Sequence, residues 1–287
     1  MKNKKVKQLL SKWSYWQKAL SVPMVIITFI STILSFIDMD SKYKLYILLT
    51  LIFLTVVYFI FFVRFTSKLE SITLNIEGSL LEVSEGDIFN QDNDNFKVIG
   101  FNEFFDTQVD DEIISSNSLH GQYLLKKYPT KENIKSFNRR VRNDLRFQMQ
   151  VKDKGVTRPL GGNTTRYELG SIFKDQDYFL VSFSKFNDKN EANLKLTEYA
   201  NCLLKFWDEV NSLYNRQTVV LPLLGSGITR HKDFVATNQE LLDVIIWTFK
   251  ISKVKFREPS KVKILIHNSQ LETINFYKLK EFETNGI

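Results

Sequence analysis

The pattern of apolar and polar positions divides the chain into two parts. Residues 19–37 and 45–63 are two runs of nineteen residues with no charged side chain. At 1.5 Å rise per residue each predicts a helix of about 28 Å, close to a bilayer hydrocarbon thickness of roughly 30 Å. Only the seven residues 38–44 separate them, which predicts a hairpin. A buried helix of a soluble core normally keeps a polar side, and residues 47–63 offer only two threonines. A cleaved signal peptide fits poorly, because the first run lacks a small-residue cleavage site and a second full span follows. Neither run carries an ionisable group, so neither reads as a proton or ion relay. Thr28, Ser31, Thr32 and Ser35 are spaced to line one face, for helix packing or for a pore.

From about Ser71 the pattern changes to short β-branched and aromatic runs alternating with helical periods. Leu80–Val83, Lys97–Phe101, Tyr178–Phe183, Thr218–Leu224 and Val262–Ile266 read as strands. Thr130–Gln150 reads as a polar, arginine-rich helix. Glu191–Tyr214 reads as a long helix whose Leu196, Tyr199, Leu203, Phe206, Val210 and Leu213 form one apolar stripe. Thr237–Glu240 and Ser269–Glu272 both fit a capping box and predict two further helix starts. This alternation predicts an α/β layer sandwich with a largely parallel sheet, with ligands bound beyond the carboxyl ends of its strands. The organisation is a basic tail at 1–18, a membrane hairpin at 19–63, a linker at 64–76 and a ligand-binding domain at 77–287.

Charge sharpens this picture. The net charge is +7, and Lys2, Lys4, Lys5, Lys7, Lys12 and Lys18 supply six of those charges before the first span. The linker 38–44 is neutral, so the remaining chain holds only +1. A nearly neutral soluble part lacks the footprint of a nucleic-acid binder. Lysines before the first span, with Arg64 and Lys68 after the second, place both termini in the cytoplasm by the positive-inside rule. The expectation is a multi-pass membrane protein in contact with the lipid bilayer; the resemblance described below makes that the bacterial inner membrane. Cys202 is the only cysteine and His120, His231 and His267 are scattered, which excludes a disulfide scaffold and predicts no metal site.

The loops after strands carry the candidate chemistry. Leu223-Leu224-Gly225-Ser226-Gly227-Ile228-Thr229-Arg230 follows a strand; its two glycines let backbone amides approach one anion. Ser226 and Thr229 offer hydroxyl donors there, and Arg230 a charge-assisted one. The same stretch also reads as a plain glycine turn, and it lacks the lysine of a nucleotide-hydrolase loop. Glu85-Gly86-Asp87-Ile88-Phe89 places a carboxylate where it can accept from an exocyclic amine, or serve as a solvated turn. Ile99-Gly100-Phe101-Asn102-Glu103 ends a strand in an amide side chain. Ser118, His120 and Gly121 open a helix, where His120 suits a structural role better than that of a base. Thr157–Thr165 reads as a surface hairpin that borders the pocket at most.

Taken in order, the segments 85–88, 98–102 and 221–228 resemble a macro domain, a three-layer α/β/α sandwich that binds ADP-ribose and its relatives. The stretch 102–107, with Ile114 and Ser118-Leu119-His120-Gly121, resembles the divergent macro domain of bacterial antiphage Thoeris effectors. Two spans followed by such a domain are similar to the membrane-bound effector of type II Thoeris systems. The resemblance implies that Asp87 binds the adenine amine beside the Ile88 amide. It implies that Asn102 lies near the distal ribose, and Phe101, Ser118, His120 and Gly121 are counted as further ligand-binding residues. Gly225, Ser226, Gly227 and Ile228 would cradle the diphosphate, and Leu224, Thr229 and Arg230 are counted among the ligand-binding residues beside them.

The resemblance also implies a partner, a TIR-domain enzyme that consumes NAD and makes an ADP-ribose-type signal such as a histidine conjugate. The effector then assembles as a homo-oligomer, damages the membrane and aborts the infection. No cofactor and no catalytic residue are expected. The glycine-rich run that hydrolytic macro domains carry after the Asn102-like position is here Glu103–Asp111, full of bulk and acid, which favours a sensor. Asp106, Asp110 and Asp111 would meet a cationic group of the ligand or stand in solvent. The rival reading is a membrane-tethered ADP-ribosyl hydrolase, and a third is a structural membrane protein that docks a partner.

Overall fold

The computed structural model describes residues 13–67, 69–187, 189–227, 230–231 and 236–284. The chain divides into two compact units, residues 1–70 with 275–278, and residues 71–274 with 279–287.

The first unit is built on helices α1 (Trp13–Phe36) and α2 (Ser41–Ser67). Both are long and apolar enough to cross a membrane over Tyr15–Phe36 and Ser41–Thr66, 22 and 26 residues. None of the apolar window of α2 is buried against protein, so its side chains lack the core that an apolar soluble helix requires. Trp16 stacks on Phe59 at 4.6 Å between ring centroids. The hydroxyls of Thr28, Thr32 and Ser35 donate to carbonyls of their own helix three or four residues back, which satisfies them without a partner helix. Five of the six tail lysines, Lys2, Lys4, Lys5, Lys7 and Lys12, lie outside the described residues.

The second unit is a nine-stranded mixed sheet with helices on both faces. Its strands are β1 (Ser71–Ile76), β2 (Ser79–Glu85), β3 (Phe96–Asn102), β6 (Ile172–Asp175), β7 (Tyr178–Phe186), β8 (Ala192–Leu194), β9 (Val219–Pro222), β10 (Arg230–His231) and β11 (Val262–Ile266). Their order is β1-β2-β11-β9-β3-β7-β8-β10, with β6 also pairing β7; β4 (Val151–Asp153) and β5 (Arg166–Tyr167) form a separate ribbon. The centre, β2-β11-β9-β3-β7, is parallel. The edges are not, since β1, β6 and β8 pair antiparallel. The sheet is largely parallel, as expected, with β8-β10 parallel as well, and the two-residue turns at Glu77-Gly78 and Gln176-Asp177 make the antiparallel hairpins β1-β2 and β6-β7. Strand β1 takes up the last six residues, 71–76, of the segment 64–76 expected as linker, and α2 runs on to Ser67.

Alternation along the strands assigns the faces. Ile99, Phe101, Leu180, Val220 and Leu265 pack against Tyr123, Leu124, Phe137, Val141 and Phe147. Those residues come from α3 (Leu119–Lys127), α4 (Lys131–Asn143) and α5 (Leu145–Gln148). On the other face Phe183 meets Tyr199 edge-on, and α6 (Leu196–Leu213) packs with α7 (Asn238–Ser252) through Trp207 and Phe249. Of the predicted stripe, Tyr199, Leu203, Phe206 and Val210 are buried and Leu196 is exposed.

Three expected elements differ. The arginine-rich helix breaks at Asp144, whose carboxylate turns to accept from the Phe147 amide and caps a new helix. The long helix starts at Leu196 because residues 192–194 are used as β8. Thr237 caps α7 with the expected box, but Ser269 does not start a helix. His267 caps a 3-10 turn over Asn268–Thr273 instead, with Nδ1 2.8 Å from Ser269 Oγ.

Candidate functional site

The carboxyl ends of the five parallel strands open into one cavity of about 720 Å3. That volume lies within the range of small-molecule sites, roughly 300–1,000 Å3. Gly86 to Ile88 follow β2, Leu223 to Gly227 follow β9, His267, Ser269 and Gln270 follow β11, Asn102 ends β3, and Ser184 lies near the end of β7. This is the position that parallel α/β sheets reserve for ligands.

Local sequence explains each wall. Gly86 must be small, because an added Cβ would sit 2.8 Å from Leu265 Cδ2. Asp87 then caps the turn Ile88–Asn90, its Oδ1 accepting from the Phe89 amide at 2.9 Å, which holds its carboxylate at the cavity edge. The Leu223–Ser226 turn closes through Ser226 N to Leu223 O at 3.3 Å, with Gly225 at φ +86°. Ser226 Oγ donates to Leu223 O at 2.6 Å, so its hydrogen is spent within the turn rather than offered to an anion as expected. Gln270 ties the turn down, its Nε2 donating to Ser226 O at 3.2 Å. An added Cβ at Gly227 meets nothing within 4 Å.

Asn102 sits at a break in register. Phe101 pairs with Ser182 but Asn102 with Ser184, a bulge that re-aims the last side chain of β3. Its Oδ1 accepts from the amides of Phe104 and Asp106, and its Nδ2 donates to Asp106 Oδ2 at 3.0 Å. Asp106 is fully buried and meets Arg158 Nη1 at 2.8 and 2.7 Å from its two oxygens. It also accepts from the Asn163 amide at 2.6 Å. Burial pushes the Asp106 carboxyl up, while Asn163, Arg158 and Asn102 pull it back. Burial also pushes Glu103 up, opposed by Arg166.

The segment 157–165 is the surface loop of the β4-β5 hairpin, as expected: most of it is exposed and it does not line the cavity, while Arg158 and Asn163 fold inward onto Asp106 beneath the site. Asp106 is neither solvated nor open to a ligand cation. Asp111 lines the cavity, and Asp110 accepts from the Glu112 and Ile113 amides.

Asp87, Ile88, Asn102, Ser118, His120, Leu224, Gly225, Ser226 and Gly227 all border the cavity. Phe101 and Gly121 do not line it. Phe101 lies in the core beneath, its ring tilted against that of His120 with centroids 3.6 Å apart. Gly121 allows close approach of α3 to its own entry loop, since a Cβ there would lie 2.2 Å from Ser115 O. Ser118 is the N-cap of α3, accepting from the Gly121 amide at 3.0 Å. His120 Nε2 is 2.9 Å from Asp106 O, and burial pushes its pKa down to about 3, so it is a neutral structural residue. Ile228 and Thr229 lie outside the described residues, and Arg230 is described only as backbone of β10. Lys189, Asn190 and Gln270 also line the cavity. No short motif marks them, and their placement depends on pairing that spans the chain. Among the described residues no cluster of histidine, cysteine and carboxylates is arranged to hold a metal.

An α/β/α sandwich with its cleft at the strand ends, between an acidic turn and a glycine turn, is a macro domain. The family model described as Thoeris protein ThsA, Macro domain, matches residues 81–267, and the chain belongs to that family. The Thoeris protein ThsA of Bacillus amyloliquefaciens (strain Y2) is 50% identical over 285 residues, covering 99% of this chain and 94% of that protein. The chain is thus a Thoeris antiphage protein with a macro domain. Solved macrodomains of Oceanobacillus iheyensis are similar at low identity. A glycine-to-valine mutant with ADPR has a TM-score of 0.47 at 13% identity, over 75% of this chain and 100% of that one. A form with MES bound has 0.44 at 11%, over 72% and 94%.

Proposed function

We propose that this protein is a membrane-anchored sensor of an ADP-ribose derivative. The observation that carries the reading is the cavity itself, which brings Asp87, Asn102 and the Leu223–Gly227 turn to one space at the strand ends. Asp87 would accept from the adenine amine, and the backbone of the glycine turn would hold the diphosphate. The signal would be a product of a partner TIR-domain enzyme, such as histidine-conjugated ADP-ribose. Binding would favour an assembled homo-oligomer, and α1 and α2, spanning the inner membrane with both termini cytoplasmic, would then disrupt it. A ligand drives this only by binding the assembled state more tightly than the idle one.

A sensor is favoured over a hydrolase by the floor of the site. The Asn102 side chain holds Phe104 and Asp106 in place, and Asp106 is consumed by Arg158. Calorimetry on the full chain in lipid nanodiscs, with ADP-ribose and histidine-conjugated ADP-ribose, tests binding. Saturable binding that Gly227→Phe abolishes supports the reading, and absence of binding overturns it. Chromatographic detection of ligand turnover would establish the hydrolase instead. In infected cells that also express the TIR enzyme, a membrane-potential dye should report depolarisation at growth arrest; unchanged polarisation removes the membrane step.

A further inference from the structure

The positive charge of the second unit is gathered on one stretch. The chain after residue 44 carries a net +1, and residues 131–154 alone carry +5, with eight lysines and arginines against three acids. Two of these cations turn inward, Arg140 to Asp175 at 2.6 Å and Arg146 to Glu209 at 2.9 Å. Lys131, Lys135, Arg139 and Arg142 are exposed, and among the described residues none of them meets a carboxylate. At 3.6 residues per turn they fall within about 80° of one another around α4. Phe137 and Val141 leave the other side of that helix for the core.

The next turn adds apolar surface. Leu145 begins α5 and Met149 caps its end, and they are 83% and 77% exposed. Outside α1 and α2, no other large apolar side chain among the described residues is as exposed. Unpaired cations followed by exposed apolar groups suit a lipid surface, where headgroup phosphates take the charge and the acyl boundary takes the apolar groups. Other occupants fit less well. A nucleic acid would match the charge but leave Leu145 and Met149 in water, since bases stack on aromatic rings. A second copy meeting this face about a two-fold axis would set the four cations against themselves. An anionic leaflet satisfies both groups, and a chain with two helices able to cross a bilayer is never far from one.

We infer that the exposed side of α4, with Leu145 and Met149, is a docking surface for an anionic lipid leaflet. Lys131, Lys135, Arg139 and Arg142 pair with headgroup phosphates, and Leu145 and Met149 enter the acyl boundary. This rests on the membrane-anchored reading above and not on which ligand the cavity takes. It adds that the macro domain is itself held to lipid by charge, apart from the two spans.

The test uses the full chain in nanodiscs with a fluorophore attached at Asn143→Cys, the last residue of α4. Cys202 is buried and its thiol is pushed up to about 12, so the label goes to the introduced position alone. Spin-labelled acyl chains quench a fluorophore that reaches the lipid. Discs of equal parts phosphatidylcholine and phosphatidylglycerol should quench it about threefold more than discs of phosphatidylcholine alone. Salt at roughly 1 M, where the Debye length is about 3 Å, should remove the difference. Arg139→Glu with Arg142→Glu should remove it too, and Leu145→Ser with Met149→Ser should weaken quenching in the anionic discs. If either pair unfolds early on heating, the lipid and salt comparison on the labelled parent decides. Equal quenching in both discs, or none in either, overturns the inference and leaves the anchor standing. Quenching that needs two chains per disc assigns the face to a second copy and overturns it. An emission shift caused by RNA added to phosphatidylcholine discs assigns the face to nucleic acid and overturns it as well. A chain that does not stay with the discs overturns the membrane-anchored reading, and this inference with it.

Discussion

Arg158 and Asp106, 52 positions apart in sequence, form a buried ion pair in which one guanidinium nitrogen meets both carboxylate oxygens at 2.8 and 2.7 Å. The pair lies beneath the cavity and joins the loop after β3 to the segment 157–165. Replacing Arg158 by alanine leaves Asp106 buried without its counter-charge. A loss of about 3–5 kcal/mol is expected from such a deletion. The denaturant midpoint of the detergent-solubilised chain measures it, and adding Asp106→Asn to the same variant should restore part of the loss.

Two neighbouring glycines should respond differently. Gly162 has φ +104°, and a Cβ there would lie 2.3 Å from Arg158 Nη1 and 2.7 Å from Asp106 Oδ1. Gly161, at φ +78°, has nothing within 4 Å. Gly161→Ala should cost about 1–2 kcal/mol, the backbone penalty alone. Gly162→Ala should cost clearly more, because the ion pair must move as well. Equal thermal shifts for the two variants would contradict this.

Acid should destabilise the domain partly through His120. Its pKa is pushed down from the ordinary 6.5 to about 3 by burial, so the folded state binds fewer protons than the unfolded one between those values. The stability that it contributes is present above pH 6.5 and is lost as pH falls from 6.5 toward 3, by up to about 1.4 kcal/mol per pH unit. His120→Gln removes the titration and keeps a donor for Asp106 O. Unfolding free energies measured from pH 7 to pH 4 should fall less steeply in the variant by that amount.

Asp175 should be as sensitive as Asp106. Tyr123, Tyr128 and Arg140 all donate to its carboxylate, which is 1% exposed. Asp175 and burial together push the Tyr128 hydroxyl up to about 12. Asp175→Ala strands three donors, Tyr123 on α3, Arg140 on α4 and Tyr128 in the turn between, and should cost about 3 kcal/mol or more. Unfolding in urea reads it.

The parallel centre of the sheet was legible because its strands are β-branched, aromatic and buried on both faces, as in Tyr178–Phe183 and Val262–Ile266. The site loops were legible as candidates, since each follows a strand end with glycine or aspartate, a pattern that a plain turn shares. What escaped was short or distant. Strand β8 has three residues and carries no pattern of its own. Arg158 reaches Asp106 and Asn190 only after the chain has closed, so its inward turn leaves no local trace in Thr157–Thr165. Asp144 could have been suspected, because an aspartate three residues before a phenylalanine amide it can cap also ends one helix and begins another.

The strand β7 changes neighbour part-way along its length. Residues 178–181 lie against β6, while Lys185 and Phe186, at the cavity end, are matched only by Asn193 and Ala192 of β8. A ladder of two rungs opens far more cheaply than the central strands. The rim of the cavity beside this end of β7 is thus the part of the sheet able to yield first, and under the proposed sensing role a bound ligand would register there as a local tightening while the rest of the fold stays unaltered.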